Sequence, residues 1–103
     1  MAWIDEAARC LAGKLPSGSR VIVFGSQARG DARPDSDLDL LVIEPEVSDR
    51  FEEMARLSTL LGKNLIPADV VVISAVAYEQ QKLITNTLAW RAAREGKVHE
   101  FAA

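Results

Sequence analysis

Two aspartates, Asp37 and Asp39, stand one residue apart at the front of the apolar run LLVI, and Gly25-Ser26 precedes Asp37 by a gap of ten residues. Aspartate is a poor strand former, so two of them leading a run that otherwise reads as a buried strand call for a chemical reason. Strand residues i and i+2 share a face, about 7 Å apart along the chain, which sets these carboxylates side by side. Their repulsion grows with burial and is relieved by a multivalent cation. Mg²⁺ prefers oxygen ligands and usually takes one or two carboxylates plus substrate phosphates. Two such ions about 4 Å apart activate an attacking oxygen and stabilise a leaving one in phosphoryl transfer. Asp69 opens the run DVVVI much as Asp39 leads into LLVI, and is the expected third ligand. Glu44 and Glu46 are weaker candidates, because they lie at the far end of the second strand.

Gly25-Ser26 falls where a first strand turns into a short helix. Glycine lets an anion approach the backbone closely, and a helix start offers free N–H groups and a positive dipole end. With the Ser26 hydroxyl, this makes a cradle for a triphosphate beside the metal site. Arg29 and Arg33 are within sequence reach of the same phosphates, although Asp31 and Asp35 stand among them and solvated ion pairs serve equally well.

Blander readings compete with each of these. Asp37 alone would read as a turn residue after Pro34, a reading that the second aspartate and the upstream Gly-Ser weaken. DSDLDL has the acidic start of a calcium loop, with Glu46 at the twelfth place from Asp35, but Leu40 occupies the place where an EF-hand needs glycine. A P-loop would need G-K-[ST], and DARP follows Gly30 instead. Gly25 and Ser26 also suit a plain turn and N-cap. His99 reads as a surface residue, Cys10 as an apolar filler, and Trp90 as core or subunit contact.

The elements that must hold these residues follow from periodicity. Residues 3–14 show helical spacing, with Gly13 as a stop. Strands are expected over 20–24, 37–44 and 68–74, with one or two helical turns over 25–30 and a loop over 31–36. Ser48 reads as N-cap of a helix over 49–62 with Phe51, Met54, Leu57 and Leu61 as its apolar stripe and Gly62 beyond its end. A long helix is expected over 75–95, with Val76, Leu83, Ile84, Leu88 and Trp90 on its apolar side and Gly96 as its stop. KVHEF, 97–101, reads as an edge strand or an arm. The order implies an α/β (α+β) unit spanning 1–103, a single small mixed sheet with helices packed against it. The first two strands are joined too briefly for a parallel crossover.

Composition narrows the function classes. The 103-residue chain is 49% apolar and 26% charged, with a net charge of −3, so bulk nucleic-acid binding is not expected. No apolar run reaches the ~20 residues of a membrane span. MAWIDEAARC carries acids and no apolar signal core, so no export signal is expected. A single cysteine excludes an internal disulfide and fits a reducing cytoplasm.

GSQARGDARPDSDLDLLV resembles the signature of the minimal nucleotidyltransferases, in the DNA polymerase beta-like nucleotidyltransferase superfamily. Their pattern is Gly-Ser, a gap of about ten, Asp-x-Asp and a later strand-borne Asp. The resemblance implies that Gly25 and Ser26 bind a nucleoside triphosphate, with Arg29 beside them, and that Asp37, Asp39 and Asp69 ligate two Mg²⁺. It implies transfer of a nucleoside monophosphate, most simply AMP from ATP, to a hydroxyl acceptor. Once the sheet and its helices are counted, no residues are left for an acceptor-binding domain, so the acceptor site is expected to be shallow or supplied by a partner. The resemblance points to a helical HEPN-type protein, which such transferases neutralise as antitoxins, in some pairs by adenylylating a tyrosine. Two alternatives stay open: a module that neutralises or scaffolds such a partner by contact alone, and transfer to a small molecule such as an aminoglycoside. The oligomeric state also stays open.

Overall fold

A computed structural model describes residues 2–24 and 38–101 of the chain. The helical turns expected over 25–30 and the loop over 31–36 therefore lie outside the described residues.

Four strands form one sheet: β1 (Ser19–Phe24), β2 (Leu38–Glu44), β3 (Ala68–Ser74) and β4 (Lys97–Phe101) in the order β3-β2-β1-β4. β1 runs antiparallel to β2 and to β4, whereas β2 and β3 are parallel. This is the mixed sheet expected, and KVHEF takes the edge-strand option. The parallel pair needs a crossover, supplied by a helix over Arg50–Lys63.

β2 is apolar on both faces, because both are covered. Leu38, Leu40 and Val42 pack with Val21, Val23, Val70 and Val72 beneath α1 (Ala2–Leu11) and α2 (Arg50–Lys63). Leu41 and Ile43 pack with Ile22, Phe24 and Ile73 beneath α3 (Ala75–Gln81) and α4 (Leu88–Glu95). Each side chain so buried contributes about 1.5–3 kcal/mol relative to exposure, and this two-sided clamp fixes β2, the strand on which the candidate chemistry depends.

α1 and α2 depart from expectation in four places. α1 ends at Leu11 rather than residue 14, because Gly13 adopts φ 74° and turns the chain away. Asp49, not Ser48, caps α2, its carboxylate accepting from the Phe51 and Glu52 N–H groups at 3.1 Å. α2 then runs through Gly62 to Lys63, and Asn64 caps it. Phe51 is 74% exposed and leaves the stripe to Met54, Leu57 and Leu61; it sits in the first turn, ahead of the point where the helix meets the end of β2.

The expected helix over 75–95 is two helices. The first stops at Gln81, and Asn86, five residues on, takes φ 71°, a left-handed conformation that an unbroken helix excludes. Thr87 then starts α4, its Oγ1 accepting from the Trp90 N–H at 3.1 Å. Val76, Leu83 and Ile84 are consequently exposed instead of forming an apolar stripe. Gly96 ends α4 as expected, its N–H donating to the Ala92 carbonyl at 2.8 Å.

Candidate active site

Asp39 is the second residue of β2 and Asp69 the second of β3, and the parallel register pairs them directly. Paired residues of a parallel ladder point to the same face, and adjacent strands lie about 4.8 Å apart. The two aspartates therefore share the α3/α4 face with Leu41, Ile43, Val71 and Ile73, two and four residues on. Asp39 is half-buried and Asp69 exposed.

On its other side Asp39 is paired with Phe24, the last residue of β1, which is buried in the same face. Phe24 is thus the apolar neighbour of Asp39 across the ladder. The chain continues directly from Phe24 into Gly25-Ser26. Gly25, Ser26, Arg29, Arg33 and Asp37 lie outside the described residues, so the structure assembles Asp39 and Asp69 and leaves the rest of the constellation untested.

Two carboxylates one strand apart on a common face, one half-buried, form a hard-oxygen donor pair suited to a small divalent cation such as Mg²⁺. Among the described residues no group of three or more His, Cys, Asp or Glu side chains gathers closely enough to hold a metal. The donor set needs another oxygen, which Asp37 or a substrate phosphate could provide.

The weaker candidates belong elsewhere. Glu44 follows Asp39 by five residues, roughly 16 Å along the strand, at the opposite end of the sheet. Its side chain is 3% exposed beneath α2, beside Glu53 and Arg56. Burial, and then the proton it shares with Glu53, push its carboxyl up to about 8. Arg56 donates from Nε and Nη2 to Glu53 at 2.7 and 2.6 Å and holds Glu53 well below the usual carboxylate range. The signal was legible: Glu44 is in phase with Leu38, Leu40 and Val42, so period-two alternation puts it on the buried face.

This cluster gives stability an alkaline slope. Folded Glu44 keeps its proton to about pH 8, whereas the unfolded group releases it near the ordinary 4.5. Between those values the folded state binds more protons, so stability falls as pH rises through the window. Thermal melts should therefore show a lower Tm at pH 8.5 than at pH 5. Glu44→Gln keeps a donor toward Glu53 but cannot ionise, and should flatten that decline.

Comparison with known proteins bears on the same residues. A model of the nucleotidyltransferase domain family matches residues 4–94. No curated protein matches the chain. Among solved structures, a protein of Sulfolobus solfataricus proposed to be a nucleotidyltransferase is 25% identical, with a TM-score of 0.58 over 77% of this chain and 70% of its own. A toxin-antitoxin structure with AMP-PNP is 21% identical, with a TM-score of 0.56 over 94% of this chain and 69% of its own. A mutant of the toxin-antitoxin MntA-HpeT is 17% identical, with a TM-score of 0.56 over 91% and 69%. At those identities the last two speak to the fold.

Proposed function

Because the chain belongs to the nucleotidyltransferase domain family, we propose that it transfers a nucleoside monophosphate, most simply AMP from ATP, to a hydroxyl on a partner protein. The observation that carries this reading is the in-register pairing of Asp39 with Asp69 at the opening of two adjacent parallel strands, next to the end of β1.

In this reading the whole chain, 1–103, is one transferase unit working in the cytoplasm. Asp37, Asp39 and Asp69 hold two Mg²⁺. Bound there, the ions supply neutralising charge for the phosphates and lower the pKa of the acceptor hydroxyl. The residues of the chain supply position. The N–H groups at Gly25-Ser26 and the Ser26 hydroxyl grip the triphosphate, and Arg29 pairs with its charge. Holding nucleotide and acceptor in line accounts for most of the acceleration.

The acceptor is a helical HEPN-type toxin, which modification neutralises. Fold-level likeness to a toxin-antitoxin structure with AMP-PNP supports this partner class and ATP as donor. The test is incubation of the chain with the protein encoded beside it, Mg²⁺ and α-labelled ATP. Label is expected on the partner, dependent on Asp39. Neutralisation of the partner without label, unchanged in an Asp37→Asn plus Asp39→Asn variant, would establish a contact-only binder instead.

A further inference from the structure

The turn that joins α2 to β3 follows the rule for helix ends except at one residue. Asn64 is the C-cap of α2. The Leu65 N–H donates to the Gly62 carbonyl at 3.0 Å, and the Ile66 N–H donates to the Leu61 carbonyl at 3.0 Å. These are the two bonds of a Schellman motif, whose left-handed position usually holds glycine and sometimes asparagine. Here it holds Leu65, with φ 58°. A Cβ crowds the following carbonyl oxygen in that conformation. Elsewhere among the described residues it falls to Gly13, Gly18 and Asn86, which tolerate it.

The leucine side chain does nothing for the fold in return. Ile66 and Leu61 already lie together in the core and close the helix end, while Leu65 is 82% exposed. A surface leucine standing singly needs no explanation, but one held in a disfavoured conformation does. The turn beneath it is fixed. Asn64 Nδ2 donates to the Leu60 carbonyl at 2.9 Å and to Cys10 Sγ of α1 at 3.3 Å. The Leu38 N–H, at the opening of β2, donates to the Pro67 carbonyl at 2.9 Å. Leu65 therefore stands on a base tied to α1, α2 and β2, which lowers the entropy lost when its side chain is covered.

This turn lies at the end of the sheet that carries Asp39 and Asp69. Leu65 precedes Asp69 by four residues, so their Cα atoms are at most about 14 Å apart. A protein that presents a hydroxyl at the Asp39–Asp69 pair and buries a typical ~800 Å² of this chain covers a disc of roughly 16 Å radius. Leu65 falls inside it. A small acceptor does not extend that far.

We infer that Leu65 is a docking anchor for the protein that carries the acceptor hydroxyl, its side chain filling an apolar recess on that partner. The inference rests on the proposed transfer for the partner's place over the site.

Calorimetric titration of the whole chain with the protein encoded beside it tests this without turnover. Leu65→Gly suits the left-handed turn, so its Tm should equal or exceed that of the native chain. Its affinity for the partner should nevertheless fall at least about tenfold. Leu65→Asn, which the turn also accepts, should weaken binding by a similar factor. Leu65→Met keeps an apolar side chain of similar size and should bind within about threefold of the native chain. Native-strength binding by Leu65→Gly, a lower Tm in that variant, or a native chain that does not bind the partner would overturn the inference. Label transfer run in parallel reads the proposed function separately: binding that depends on Leu65 with no label formed would uphold the docking and defeat only the transfer.

Discussion

Asp39→Asn should cut transfer of labelled AMP by roughly a thousandfold, the factor that corresponds to about 4 kcal/mol of lost stabilisation of the developing charge. Asparagine has the same size and the same strand geometry, so the packing of Leu38, Leu40 and Leu41 around it, each at most 1% exposed, is left in place. What it loses is the negative charge that, on the proposed reading, a divalent ion would need beside Asp69. Asp69→Asn should fall in the same direction, because the two side chains face one site from neighbouring strands. Glu46→Gln, at the opposite end of the sheet, should retain full transfer. A large loss in Asp39→Asn with an unchanged far-ultraviolet spectrum and Tm would separate chemistry from folding.

The largest expected effect on stability is at Gly96→Ala. A Cβ there would sit 2.1 Å from Ile22 Cγ2 and 2.4 Å from the Ala92 carbonyl oxygen. Ile22 is 1% exposed in the core beneath α4 and has no room to swing aside. The Ala92 oxygen is backbone and already accepts the Gly96 N–H. Relief requires moving the end of α4 off β1, at about 3 kcal/mol, or a fall in Tm of roughly 12–24 °C. Gly62→Ala is the matched control. A Cβ there meets nothing within 4 Å, and the residue lies inside α2. It should stabilise the protein by up to about 1 kcal/mol. Thermal melts of the two variants make the comparison.

Much of this architecture could be read from residue patterns, and the exceptions have physical causes. ADVVVIS occupies β3 with the bounds expected, since a β-branched run closed by an N-capping serine leaves few alternatives. The break in the helix after it is hidden in the sequence because apolar spacing carries across ITNTL, whereas Asn86 and Thr87 set the start of α4 locally. The face shared by Asp37 and Asp39 was a local inference from strand alternation. That Asp39 lies directly beside Asp69 is not local: register between strands 30 residues apart is set by how both faces of β2 pack, and the motif alone carries no such information. Glu44 shows the opposite case. Its distance from the aspartates makes it a weak ligand candidate, while its phase with Leu38, Leu40 and Val42 marks it as a buried acid.

In the proposed site, acids on β2 and β3 clasp the same divalent ion. Titration with Mn²⁺ followed by electron paramagnetic resonance, with a non-hydrolysable ATP analogue present, measures this without reference to turnover. Binding to the native chain should be weakened by Asp39→Asn and by Asp69→Asn separately, each by at least about tenfold. Mn²⁺ binding that is indifferent to Asp69→Asn would rule out an ion shared between the two strands.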